Sequence, residues 1–497
     1  MNRPQSSRIS RRRCLIAGLL VLTVLLPASS AALTLLYFND IHEIAPVDGG
    51  LRGGMARVAG LVATERAGED HVLVLIGGDL AGGTLFGLMR GEPMIKALNL
   101  IGVDAASFGQ HEFDHGVTQA RRLVELSEFP WVSANLTEVD GAPFHGLERY
   151  RVLEVDGTRV GVFGITTAMD TTRHEGQVVE QDVVASARSA VAALQAAEVD
   201  LIVALTQQTP AEDLAMVRAV PGIDLVLGEE VSETRSQIDF EGGTYLARSA
   251  GNVSSLIRAQ WLGPGASDWR LSVIPVDAHA PEDPAVARLS DDYSAKLAEQ
   301  LAAPVRAVDQ PWQLMRDKAR SEETALGQLV AEAFRQAMAS DVGFSSAGGL
   351  RADLRAQPPA LSLADVAAVL PFDNRLVRLQ ISGAELRELM ELALAEHPVA
   401  RNRFPLISGL TVDFDPEAPP GQRVRSLNRN GTAIEPDQRL TLATSLFLAG
   451  GGDGYTLLRS LPRESVGALD REALASWLAE VDAWPPAPEP DPALIAP

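Results

Sequence analysis

Apolar runs of five to seven residues, each closed by a short polar cluster, recur through the first half of the chain. Ala32-Leu33-Thr34-Leu35-Leu36-Tyr37-Phe38 reads as a buried strand, and Asn39-Asp40-Ile41-His42 sits where it ends. His71 to Ile76 repeats the pattern and is closed by Gly77-Gly78-Asp79; Val160 to Ile165, Leu201 to Leu205 and Asp224 to Leu227 are further strand-like runs. Between them lie alanine-rich amphipathic stretches, Val183 to Ala197 and Ala211 to Val220. Strand alternating with helix predicts an α/β domain whose polar residues collect at strand ends, the place where sites in such folds gather.

Pro281 to Pro284 punctuates the chain, and Ala285 to Ala303 reads as one helix before Pro304. The expected organisation is a first domain over 32–283, a connector helix over 284–309, a second α/β domain over 310–484 and a Pro-rich, disordered tail over 485–497. The second domain mixes helical patterns (Thr324 to Met338, Gly383 to His397) with strand-like ones (Leu376 to Ile381, Leu440 to Thr444).

The first residues form an address. Arg3, Arg8, Arg11, Arg12 and Arg13 precede an apolar run from Cys14 to Leu26, and Pro27-Ala28-Ser29-Ser30-Ala31-Ala32 follows. This is the order of a cleavable secretory signal over 1–31. The run is too short for a comfortable membrane span, and Pro27 with its small neighbours ends it, which disfavours an uncleaved anchor. Ser10-Arg11-Arg12-Arg13-Cys14-Leu15 is similar to a twin-arginine export signal. Export to the periplasm or medium is expected, with no stable membrane anchor once the signal is removed.

Charge narrows the partners. The 497 residues hold 43 Lys+Arg against 65 Asp+Glu, a net charge of −22, so a nucleic-acid polymer would be repelled at long range. Cys14 is the one cysteine, which excludes a disulfide framework and a thiolate metal site.

Three carboxylate–imidazole clusters end the first apolar runs: Asp40-x-His42, Gly78-Asp79 and Gly109-Gln110-His111-Glu112-Phe113-Asp114. Singly, each is more often a solvated turn than a ligand. In order, after successive strands, they suit a site for hard or borderline divalent ions, with an Asp able to bridge two. The set resembles the binuclear metallophosphoesterase signature D-x-H, G-D, G-N-H-E. Phe38-Asn39-Asp40-Ile41-His42, Gly53-Gly54-Met55-Ala56-Arg57, Gln110 to Gly116 and Ser133-Ala134-Asn135 are similar to successive motifs of the bacterial periplasmic 5′-nucleotidase and 2′,3′-cyclic-nucleotide phosphodiesterase family. The resemblance runs from about residue 33 to residue 460. It implies an N-terminal metallophosphoesterase-like β-sandwich flanked by helices, and a C-terminal α/β substrate domain. It also implies that Asp40 and His42 hold one metal, that Asp79 bridges, and that His111, oriented by Asp114, stabilises charge on the phosphoryl oxygens.

The chain departs from the family where the second metal would sit. Gln110 replaces the Asn of N-H-E, Gln207 replaces the His of T-H, and Glu230 and Ser232 occupy the last two ligand positions. No histidine lies between His174 and His279 to substitute. The second ion would then meet Asp79, Gln110, Gln207 and Glu230, an all-oxygen set that favours Mg²⁺, Mn²⁺ or Ca²⁺ over Zn²⁺. The first would keep Asp40, His42 and Asp79 with a Ser232 hydroxyl or water. The expected cofactor is one or two divalent ions (Mn²⁺, Mg²⁺ or Zn²⁺), the second weakened by these replacements.

The second half resembles the family's nucleotide clamp. Ser345 to Arg351 is similar to N-x-G-G-I-R, Leu370-Pro371-Phe372-Asp373-Asn374 to L-P-F-x-N, and Thr444 to Tyr455 to N-x-F-x-A-x-G-G-D-G-Y. By that resemblance Phe372 and Phe447 sandwich a base, Asn374 bonds its edge, Asp453 the ribose and Arg351 the phosphate. The expected function is an exported, metal-dependent phosphohydrolase of nucleotides with altered metal use. Two alternatives remain: a catalytically impaired nucleotide-binding protein of the same fold, and a related phosphoesterase of another substrate in which Glu230 recruits a different ion.

Overall fold

The computed structural model describes Met1 and residues 32–68, 71–169, 172, 174, 176–263, 269–372, 374–482 and 493–495. The expected signal segment, most of the Pro-rich tail and Asp373 lie outside the described residues. Among the described residues no helix is long and apolar enough to cross a membrane.

Two six-stranded sheets pack face to face in the first half. In the first, Leu33–Phe38, Val72–Ile76, Ala105–Ser107 and Trp131–Val132 run parallel, and Ser255–Trp261 with Trp269–Pro275 extend it antiparallel. In the second, Thr158–Thr166, Leu201–Gln207, Leu225–Gly228 and Thr244–Arg248 are parallel, edged by Tyr150–Val155 and Gln237–Glu241. The period of two explains the continuous apolar runs. Leu33, Leu35, Tyr37, Leu73 and Leu75 of one sheet share a core layer with Val160, Val162, Leu201, Val203, Leu205 and Leu227 of the facing sheet.

The alternate residues Leu36, Phe38, Val74 and Ile76 face helices Met55–Gly68, Glu92–Ile101 and Pro284–Leu301. On the far side Phe163, Ile165, Ile202, Ala204 and Val226 face helices Val183–Ala196 and Pro210–Ala219. With both faces covered, the strands stay apolar along most of their length, and the charged residues collect where they end. The fold is therefore α/β, a sandwich flanked by helices. The strands and helices expected from sequence form within a few residues of their anticipated bounds, and a helix at Pro284–Leu301 falls where a connector was anticipated.

Helix starts are fixed locally. Asp182 accepts from the Ala185 N–H, Asp283 from Ala285 and Val286, and Thr209 forms a reciprocal box with Glu212.

The second half builds its own core around the sheet Pro405–Ser408, Val342–Ser346, Arg439–Ser445, Arg375–Ser382 and Arg463–Leu469, in that order. Val342–Ser346 and Arg439–Ser445 are parallel, and Arg375–Ser382 is antiparallel between neighbours. The ends of the first two and the start of the third consequently lie on one edge. One expectation needs correcting: within the tail read as disordered, Leu494–Ile495 forms a short strand beside Thr411–Phe414. The Glu323 carboxylate accepts the N–H groups of Ala493 and Leu494, and Leu494 packs against the second core, giving this piece of a Pro-rich stretch a docking place.

Leu75 is fully buried between the sheets, whereas Val273 is 43 % exposed. Leu75→Ala is expected to cost about 2–5 kcal/mol, read as a lowered urea midpoint, and Val273→Ala about 0.5 kcal/mol or less.

Candidate active site and nucleotide cleft

The parallel strands of both sheets deliver their carboxyl ends to one rim. Asp40 follows Leu33–Phe38, Asp79 follows Val72–Ile76, Gln110 and His111 follow Ala105–Ser107, Gln207 ends its strand, and Glu229 and Glu230 follow Leu225–Gly228. Asn39 ties the rim together: its amide donates to the Gly228 carbonyl at 3.2 Å, and Ser249 donates to its carbonyl oxygen. Asp40 and Asp79 both adopt left-handed backbone, φ 52° and 58°, which turns their carboxylates inward as the chain leaves the sheet.

Two donor triads share Asp40. One is Asp40, His42 and Glu230; the other is Asp40, Asp79 and Glu229; within each, a ligand atom from every residue lies within 4.8 Å of the others. The partition differs from the one expected. Glu230 sits on the His42 side because its N–H donates to Asp40 Oδ2 at 3.2 Å, and this turn sends Glu229, which no motif singled out, toward Asp79. Asp40 is the residue common to both groups. Gln110, Gln207 and Glu229 line a cavity of about 780 Å³ beside them, so the two glutamines lie next to the second triad. The Ser232 hydroxyl lies 3.5 Å from that of Thr234 within its loop.

The donors suit a divalent cation. His42 Nδ1 donates to the Gly82 carbonyl at 2.9 Å, which fixes the tautomer and leaves Nε2 as a lone-pair donor 4.0 Å from Asp40 Oδ1. Among the described residues, Glu230 Oε2 and both amide heteroatoms of Gln207 are buried without hydrogen-bond partners. Burial and neighbouring carboxylates push Asp40 well up and Asp79 up, and raise Glu229 and Glu230 to about 7. Burial and His111 depress His42 to about 4, keeping the imidazole neutral. Crowded carboxylates, a neutral imidazole and orphaned oxygens are the chemistry that a cation resolves.

Glu112 enters the sequence only as one letter of a motif, yet it organises the rim. Fully buried, its carboxylate accepts from the N–H groups of Asp79 (3.2 Å), Leu80 (2.7 Å) and Gly109 (2.6 Å), clamping the second and third strand ends together. The loop Gly82-Gly83 is the other feature missed. A Cβ on Gly82 would lie 1.8 Å from Asp114 Oδ2, and one on Gly83 2.5 Å from the His42 ring. Only glycine lets the backbone pass between the two histidines there.

His111 and Asp114 come together as expected, with Nδ1 donating to Oδ2 at 2.8 Å. The His111 ring stands 5.5 Å from that of His42, edge-on. Burial opposes charge on both partners, but Asp114 and Asp79 outweigh it to raise His111 well above its ordinary value. Against the same burial, His111 and Arg375 hold Asp114 down to about 2.

In the second half, Arg351, Phe372, Asn374, Phe447 and Asp453 all line one cavity of about 300 Å³. Sheet topology brings them there: Arg351 follows one parallel strand, Phe447 and Asp453 the other, and Phe372 and Asn374 precede the antiparallel one. Phe372 and Phe447 are 47 % and 54 % exposed, unusual for phenylalanines in a chain with so few aromatics. The Arg351 guanidinium lies over the Phe372 ring at 5.4 Å, and Ser346 donates to Asp453 Oδ2 at 2.6 Å.

Lowering of the Asp114 pKa means that its stabilisation is complete above the unfolded value near 3.8 and drains away as pH falls toward 2. Asp114→Asn is expected to be less stable than the parent by about 2 kcal/mol at neutral pH, a gap that narrows between about pH 4 and 2 in acid titrations of unfolding.

Comparison with known proteins identifies relatives of both halves. Residues 302–460 match the family described as 5′-nucleotidase, C-terminal domain. Over 504 residues the chain is 28 % identical to the trifunctional nucleotide phosphoesterase protein YfkN of Bacillus subtilis, an alignment covering 90 % of this chain but 34 % of that protein, so the chain spans about a third of it. It is 26 % identical over 513 residues to the snake venom 5′-nucleotidase of Gloydius brevicauda, covering 91 % of this chain and 87 % of the other. The solved structure of a 5′-nucleotidase precursor from Thermus thermophilus shares the fold with a TM-score of 0.61 and 23 % identity, covering 94 % of this chain and 99 % of that one. Residues 302–460 thus match the 5′-nucleotidase C-terminal domain, and over most of its length the chain is similar to 5′-nucleotidases.

Proposed function

We propose that the protein is an exported, metal-dependent phosphohydrolase that cleaves phosphate esters of nucleotides. The observation that carries this is the pair of donor triads sharing Asp40 beside His111, in a chain that also holds a cleft faced by two exposed phenylalanines. Asp40, His42 and Glu230 would hold one divalent ion; Asp40, Asp79 and Glu229 would hold a second, with Gln110 and Gln207 as neutral donors nearby. Such ions, Mn²⁺ or Mg²⁺ before Zn²⁺ at the all-oxygen triad, polarise a phosphoryl oxygen and lower the pKa of water. His111, with Nδ1 engaged by Asp114, presents Nε2 to the phosphoryl oxygens and stabilises the charge that develops there. In the cleft, Phe372 and Phe447 stack on the base, Asn374 bonds its edge, Asp453 takes the ribose hydroxyls in place of Ser346, and Arg351 leaves Phe372 for the phosphate. Export is supported by the arginine-then-apolar leader ending in small residues, and by the venom source named for one relative.

One observation favours a second reading, a nucleotide-binding relative without turnover: the buried Gln207 amide has no partner among the described residues, at a position where the resemblance calls for an imidazole. Metal content and turnover separate the two. Protein dialysed against Mn²⁺ is expected to retain at least one ion per chain and to hydrolyse AMP or bis(p-nitrophenyl) phosphate, with Asp40→Asn slower by about 100-fold or more. Less than one ion per chain with no turnover in Mn²⁺, Mg²⁺ or Zn²⁺ rejects the hydrolase, and nucleotide binding in the same sample would then establish the alternative. Phe447→Ala is expected to weaken adenosine binding by roughly 5- to 100-fold in calorimetry, from loss of base stacking. Unchanged affinity would remove the cleft from the proposal.

A further inference from the structure

We propose that Arg375 is a positioning residue that latches the second half of the protein onto the His111–Asp114 pair, so that one side chain sets both the seating of the cleft and the aim of the imidazole. This rests on the phosphohydrolase reading above for its catalytic part and on geometry alone for the latch. Arg375 opens the strand Arg375–Ser382, directly after Asn374, which lines the cleft. Its side chain is 5 % exposed and reaches across 261 positions of sequence to Asp114. Nε donates to Asp114 Oδ1 at 3.3 Å and Nη2 to the Asp114 carbonyl, while Nη1 stays on its own half, donating to the Gly467 carbonyl at 3.2 Å.

The Asp114 carboxylate is thereby divided: Oδ1 belongs to Arg375 and Oδ2 to His111. Held at both oxygens and at its own carbonyl, the carboxylate has no rotation left, and the imidazole it carries inherits that fixity. The planar guanidinium spans a side-chain oxygen and two carbonyls at once, which a single ammonium cannot do. A cleft residue, the latch, the orienting acid and the histidine are consecutive links: Asn374, Arg375, Asp114, His111.

The test uses Arg375→Met and Arg375→Lys in the full chain, with folding checked by thermal melting. Turnover is read on AMP, which needs the cleft, and on p-nitrophenyl phosphate, which does not. Arg375→Met is expected to lower kcat at least about 10-fold on both substrates with KM for p-nitrophenyl phosphate within about twofold, and Arg375→Lys to restore part of kcat. A second readout needs no activity. In a Cys14→Ser background, Val139→Cys and Val399→Cys (71 % and 54 % exposed) carry spin labels on the two halves. Their distance distribution is expected to be narrow with Arg375, to broaden or shift in Arg375→Met and to narrow again in Arg375→Lys. An unchanged distribution overturns the latch, and kcat within about twofold of the parent overturns the positioning role. Should the parent itself show no turnover with any metal, the phosphohydrolase reading fails and the spin-label distances still decide the latch. If Arg375→Met does not fold, Asp114→Asn, which weakens the same contact from the other side, takes its place in the spin-label measurement only, and Arg375→Lys, expected to keep less than the parent's kcat, decides the positioning role.

Discussion

Negative charge gathered at one rim of a closed sandwich is the constraint on which the rest of this protein depends. Parallel strands covered on both faces disfavour charged groups along their length, so the carboxylates appear at the ends. There Asp40, Asp79, Glu229 and Glu230 crowd one another in a partly buried space. Repulsion of this kind costs stability in a protein already carrying a net −22, and it is tolerable where a cation is the partner. The surrounding features serve that arrangement. Glu112 commits its whole carboxylate to three N–H groups of the rim, and Gly82-Gly83 threads between the two histidines where any side chain would collide.

What was legible in the sequence follows from the same physics. Period-two burial makes a covered parallel strand an unbroken apolar word, so the strands and the residues ending them could be read directly; the nearness of Asp40 to His42 and Asp79, and of His42 to His111, was suggested by the order of the motifs and their resemblance. That Phe372, Asn374, Phe447 and Asp453 belong together was suggested by resemblance to spaced motifs, and they do line one cavity. Glu229 was not, because the choice between adjacent glutamates depends on a backbone turn that Asp40 itself fixes by accepting the Glu230 N–H. Glu112 and Gly82 act through contacts with the backbone and with residues far away in sequence, which no local pattern records. The two-residue strand at Leu494 was hidden by proline-rich surroundings and depends on the distant Glu323. Arg375 was invisible for a similar reason: an arginine beginning a strand gives no sign that its partner is 261 positions away.

The replaced ligand positions can be weighed by charge as well as by count. An imidazole brings a neutral donor to a cation, whereas a carboxylate brings a full negative charge. With Gln207, Glu230 and Ser232 standing where the resemblance calls for imidazoles, and Glu229 turned toward Asp79, the triad of Asp40, Asp79 and Glu229 offers oxygen only, the set that suits Mg²⁺ and Mn²⁺. Each added carboxylate strengthens attraction for the ion and also neutralises more of its field, leaving less to polarise a phosphoryl oxygen. The rim therefore gains electrostatic hold and loses electrophilic strength. On the proposed reading, a larger share of transition-state stabilisation would then fall to His111, whose charged form Asp114 and Asp79 favour. That places unusual weight on how firmly the imidazole is aimed, and the Asp114 carboxylate, shared between His111 and a buried arginine of the other half, is built to supply that firmness.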